Sequence, residues 1–165
     1  MQKRRYSPDG PLMRAALRAL ETGDAGHILI WIPADSENTL RNILEKACCD
    51  RTIHPKARSP VADWYFLTVS RLHSRCYGLQ DLNMSTKTPE EKKIICLAER
   101  TCQSGNFPEI TREIPDTPDG EIQRQFSIVM RMKDFDPKDT AAGRAWVTAF
   151  TDLIALVNRI RSGSR

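Results

Sequence analysis

The apolar residues of this chain recur at helical spacing from one end to the other. In "PLMRAALRALET", residues 11–22, Leu12, Ala16, Leu17 and Leu20 fall on one face at steps of three and four, the signature of an amphipathic helix. The next apolar run, "HILIWI", is continuous, so its spacing alone fits either a buried strand or a buried helix. A second phrase arbitrates. "SGNFPEITREIP", residues 104–115, aligns without a gap on "TGDAGHILIWIP", residues 22–33, with Gly23 over Gly105 and Pro33 over Pro115. In the second phrase Phe107, Ile110 and Ile114 are helically spaced, and Pro108 suits a first helical turn. Asn106 is expected to cap this helix and Glu109 to close a capping box, while Gly105 ends the helix before it in a left-handed conformation. The strand reading therefore loses in both phrases.

The same offset of 82 positions also superposes Ala16 on Ala98, Pro55 on Pro137 and Trp64 on Trp146. The coincidence of a glycine, two prolines and two of the three tryptophans points to an internal duplication. Its copies are bounded at about 9–78 and 88–161 within a single domain, joined by "LQDLNMSTK" at 79–87. The first helix of the second copy has the clearest opening: Thr88 caps, Pro89 begins and Glu91 closes the box. Third helices are expected over roughly 37–49 and 118–133, with Leu40, Ile43, Leu44, Ala47 and Cys48 in one stripe and Ile122, Phe126, Val129 and Met130 in the other. The fourth and longest run near 60–77 and 138–161, opened by Ser59-Pro60 and Asp136-Pro137. No stretch alternates at period two. The expected fold is all-α: two four-helix units related by a pseudo-twofold axis, with Trp64 and Trp146 as the central contact.

Composition changes this picture little. At 165 residues, 40% apolar and 28% charged, the chain is an ordinary globular one. Its net charge of +4 comes partly from basic runs at both ends, "KRR" and "RIRSGSR", which read as solvated tails. No nucleic-acid-reading motif accompanies them, so a nucleic-acid partner is not expected. Nor is a membrane role, because charge follows Met1 and no apolar run approaches the ~18 residues of a span. The expected compartment is the cytoplasm, with the five cysteines reduced.

With the helices placed, "DGPLMRAALRALETG" and "ILIWIP", "WYFLTVSRLH" and "AGRAWVTAF" resemble a prokaryotic family of uncharacterised all-helical proteins, over most of the chain. Members open with His-Cys-Asp-Thr-x-Asp-Gly-Pro and carry histidines on both long helices. This chain has Arg4-Arg5-Tyr6-Ser7 in place of the first four and keeps only Asp9-Gly10-Pro11. His73 matches the first helix histidine, while Ala155 stands at the second. A His-Cys-Asp opening is similar to the hook of nickel superoxide dismutases, which implies metal chemistry for the family. That chemistry cannot be carried over to a chain that lacks the hook.

The candidate chemistry is sparse. His73-x-x-Cys76 puts an imidazole and a thiol three residues apart on one helix, near enough for one transition metal, zinc or a softer ion, with His54, Cys48 and Cys49 as helpers. A Cys nucleophile with His54 or His73 as base would need an orienting third group, and none is recognisable. Cys96 and Cys102 read as packing residues, and Glu90-Glu91 as the favourable charge of a first helical turn. A third candidate is a cleft at the junction of the halves, lined by Asp63, Trp64 and Arg71 with Arg144 and Trp146. The reading that combines these is a non-enzymatic binding or interaction module for an unknown protein or small molecule. The alternative is a metal-binding, possibly redox, protein centred on His73.

Overall fold

The computed structural model describes residues 10–53, 59–77, 82, 84, 87–114 and 120–163. These residues form eight α-helices and one 3-10 turn, and no strand is found among them. The chain divides into two compact units, Met1–Thr86 and Lys87–Arg165. The residues 79–87 expected to join the copies lie mostly outside the described set.

The first unit holds α1 (Pro11–Thr22), α2 (Gly26–Leu29), the 3-10 turn Ala34–Ser36, α3 (Glu37–Ile53) and α4 (Pro60–Tyr77). Helix α1 stops where a left-handed residue is needed: Gly23 has φ 73°, and its N–H reaches the Ala19 carbonyl at 2.8 Å. Asp24 then accepts the Gly26 N–H at 2.8 Å, which turns the chain into α2. "HILIWI" is helical in its turns. Leu29 N–H reaches Ala25 O and Trp31 N–H reaches Ile28 O, each at 3.0 Å. The unit's core is built from Leu12, Ile28, Leu29, Leu40, Tyr65 and Val69, all fully buried or nearly so. One position on α1 differs from expectation. Leu17 is 40% exposed, and Met13 takes its place inside at 2%. Tyr65 carries its polar end into this core because its hydroxyl donates to the Ala16 carbonyl at 3.0 Å.

The second unit holds α5 (Pro89–Ser104), α6 (Pro108–Glu113), α7 (Glu121–Met132) and α8 (Thr140–Gly163). Its order of elements parallels that of the first: a helix closed by a left-handed glycine (Gly105, φ 72°), a short helix, then two longer ones. The Thr88 capping box forms in full, with Glu91 N–H on Thr88 Oγ1 at 3.2 Å and Thr88 N–H on Glu91 Oε2 at 2.7 Å. Two expected caps do not form. At α6 Phe107 is already helical (φ −49°), and Asn106 Nδ2 donates to Glu109 Oε1 at 3.3 Å instead of its oxygen taking a backbone N–H. At α8 Asp136 takes the Lys138 N–H in a turn at 2.9 Å, and Asp139 caps three residues later through the Ala142 N–H at 2.9 Å. The long helix therefore starts at Thr140 rather than 138. Ile122, Phe126 and Val129 of α7 face inward with Val147, Phe150, Leu153 and Ile154 of α8. Among the described residues no helix is long and apolar enough to cross a membrane.

Candidate functional site

Helix α4 sorts its side chains into two stripes. Tyr65, Phe66, Val69, Ser70 and His73, at steps of three and four, face inward. Trp64, Arg71 and Arg75 lie on the opposite side and are exposed.

His73 is fully buried and both of its nitrogens are occupied. Nδ1 lies 2.7 Å from the Trp31 carbonyl oxygen, and Nε2 lies 3.1 Å from the Leu82 amide nitrogen. A carbonyl can only accept and an amide N–H can only donate, so Nδ1 carries the hydrogen and Nε2 offers its lone pair. The ring is therefore neutral. The rings of Tyr77 at 4.6 Å and Trp31 at 6.2 Å flank it. Leu82 and Met84 are themselves buried, and Met84 packs so closely on Gly10 that a Cβ there would meet its Cγ at 2.5 Å. His73 thus ties the turn after α2 and helix α4 to Leu82, while Met84 meets Gly10 at the start of α1.

As a metal ligand His73 would have to surrender one of these bonds. Cys76, its expected companion three residues on, is exposed, whereas His73 is fully buried. His54 lies outside the described residues. Among the described residues no three His, Cys, Asp or Glu side chains gather as a metal-holding group.

The thiols divide by burial. Cys48 is half-buried, its Sγ–H donates to the Leu20 carbonyl at 3.6 Å, and burial pushes its thiol up, with the neighbouring Cys49 adding to the effect. Cys102 is buried, and desolvation pushes it up to about 11, against a smaller opposing pull from Lys133. A thiol held protonated is a poor nucleophile and a poor ligand. Cys49, Cys76 and Cys96 are exposed, which corrects the expectation that Cys96 serves packing.

The residues expected to line a cleft are distributed as follows. In the first unit Asp63 is half-buried in the first turn of α4, Trp64 is 51% exposed, and Arg71 is exposed seven positions further along the same face. Arg75, one turn on, pairs with Asp35 at 3.0 Å. In the second unit Arg144 and Trp146 are half-buried on α8, and the Trp146 ring stacks on Phe150 at 5.3 Å and 6°. Phe135 flanks Trp146 at 6.2 Å, so this tryptophan belongs to an aromatic cluster of its own unit.

The sequence does not reveal the hydrogen-bond partners of His73, because both are backbone groups and leave no trace in side-chain spacing. It also missed a half-open groove of about 670 Å³ in the second unit, where Thr88, Glu90 and Glu91 at the head of α5 meet Asn158, Arg161 and Ser162 at the tail of α8. Every one of those residues reads in sequence as a cap or a surface position.

No curated protein and no solved structure matches the chain. A family model does, over residues 9–156, from the Asp9-Gly10-Pro11 opening almost to the end of α8. The chain belongs to that family, described as a family of unknown function (DUF6448).

Proposed function

We propose that the protein is a non-enzymatic helical interaction module that meets another protein through the outward face of α4, with Trp64 at its centre. The observation that carries this is the 51% exposure of Trp64 on the same face as the exposed Arg71. A large aromatic left in water forfeits on the order of 2 kcal/mol of burial, which a partner surface would recover. Tryptophan and arginine are the residue types that most often anchor interfaces. The chemistry that the sequence offered is, in contrast, engaged by the fold. His73 is saturated by backbone, and burial raises the thiols of Cys48 and Cys102. A reducing cytoplasm suits the three exposed thiols. The parallel order of elements and the paired glycine caps support descent of the two units from one duplicated ancestor.

The test is quantitative affinity capture from the native host with wild-type, Trp64→Ala and Arg71→Glu baits. A partner recovered by wild type and depleted at least tenfold by both variants, at unchanged melting temperature, supports the reading. Equal recovery by all three baits overturns it.

A further inference from the structure

The geometry points to a binding site for a short unmodified peptide, a zwitterion, in the groove between the head of α5 and the tail of α8. At about 670 Å³ the groove falls within the roughly 300–1,000 Å³ of small-molecule sites, and a single amino acid would fill only part of it. It lies wholly in the second unit, so the inference stands independently of the outward face of α4.

The walls carry opposite charges that do not close on each other. Glu90 and Glu91 stand on the α5 side and Arg161 on the α8 side. Among the described residues the side chains of Glu90 and Arg161 make no hydrogen bond or ion pair. Glu113 feels the charge of Arg161, but that carboxylate is taken by Lys93 at 2.7 Å. Glu91 is committed in part: its Oε2 accepts the Thr88 N–H at 2.7 Å, while its own N–H is spent on Thr88 Oγ1 at 3.2 Å. The start of α5 is therefore no seat for an anion. Two of its N–H groups are used within the capping box, and two carboxylates stand in its first turn.

Each wall also has the partners that its charge needs. On α8 Asn158 precedes Arg161 by three residues, so both rise on one side of the helix. Together they offer a guanidinium fork and a side-chain amide to a carboxylate, beside the Ser162 hydroxyl that donates to the Asn158 carbonyl at 2.9 Å. On α5 an ammonium would meet the Glu90 carboxylate and the second lone pair of Thr88 Oγ1. A plain anion is opposed by the glutamates, and a plain cation by Arg161. A molecule with both charges, held apart, satisfies both walls. Glu90 is exposed and Arg161 half-buried, so the affinity is modest, on the order of 1 mM, and falls as salt is added.

The experiment titrates the ¹⁵N-labelled full chain with L-alanyl-L-alanine and follows the backbone amides by NMR. Two capped forms isolate the charges: N-acetyl-alanyl-alanine keeps only the carboxylate, and alanyl-alanine amide only the ammonium. The expected result is saturable shifts confined to Glu90, Glu91, Asn158, Arg161, Ser162 and their neighbours, with each capped form about threefold to fivefold weaker. Glu90→Gln should erase the advantage of the free amine over its acetylated form. Arg161→Gln should erase the advantage of the free carboxylate over the amide. Both positions lie outside the core, and amides beyond the groove report that the fold is kept. No saturable shift at the groove, equal binding of the three peptides, or loss of the wrong discrimination in either variant overturns the proposal.

Discussion

Gly10 occupies the most constrained backbone position described, and replacing it with alanine tests the packing around the start of α1. Its φ of 95° and ψ of 158° belong to a region that is essentially closed to L-residues, which costs on the order of 1–3 kcal/mol. The new Cβ would also meet Met84 Cγ at 2.5 Å, and Met84 is 98% buried, so it has little room to swing away. Overpacking of this kind adds about 1–3 kcal/mol. A small return, roughly 0.4–1 kcal/mol, comes from the reduced freedom of the unfolded alanine chain. Gly10→Ala should then destabilise by about 1–5 kcal/mol. Gly23→Ala is the internal control. It has positive φ (73°) but no atom within 4 Å of the added Cβ, so only the conformational cost of about 1 kcal/mol remains. Urea unfolding of the full chain, followed by far-UV circular dichroism and tryptophan fluorescence, measures both. In a Met84→Ala background the penalty of Gly10→Ala should shrink by about 1–3 kcal/mol, as expected for residues in contact. Equal penalties at Gly10 and Gly23, or additivity with Met84→Ala, would refute the packing described for Gly10, Leu82 and Met84.

Other consequences can be checked alongside. Thr88→Ala should cost about 1 kcal/mol by opening the capping box, with α5 fraying first in hydrogen exchange. Tyr65→Phe keeps the packing and loses the bond to Ala16, for about 1 kcal/mol in the same urea assay. Thiol labelling under native conditions should modify Cys49, Cys76 and Cys96 quickly, Cys48 more slowly, and Cys102 only on unfolding. Because Cys102 is raised from 9.0 to about 11, its contribution is complete below pH 9 and declines by about 1.4 kcal/mol per unit as pH rises toward 11. Cys102→Ala should lose that slope.

What the sequence made legible was local. A left-handed stop needs glycine, so Gly23 and Gly105 announced two helix ends, and the Thr88-Pro89-Glu91 arrangement announced a start. The same local logic misplaced the start of α8. Asp136 and Asp139 both suit a cap, but Asp136 spends its carboxylate on the Lys138 N–H of a turn, and Asp139 takes the Ala142 N–H three residues on and caps the helix. Which stripe faces inward was harder to read. Residues 64, 68 and 71 are spaced as helically as 65, 69 and 73, and packing alone decides that Tyr65 goes in and Trp64 stays out. Leu17 and Met13 exchanged roles for the same reason. The sequence offered His73 as a metal ligand, and its hydrogen bonds to backbone were invisible there. Its partners are main-chain groups 42 and 9 residues away, which no side-chain pattern encodes.

If the outward face of α4 is a contact surface, a photoreactive group at position 64 should capture the partner in the native host. Trp64 is replaced with the photoreactive benzoylphenylalanine, and exposed Glu45 on α3 is replaced likewise as a control. The expected result is a discrete heavier adduct from position 64, absent from position 45 and lost when Arg71→Glu is added. No adduct from position 64, or the same adducts from both positions, would contradict it.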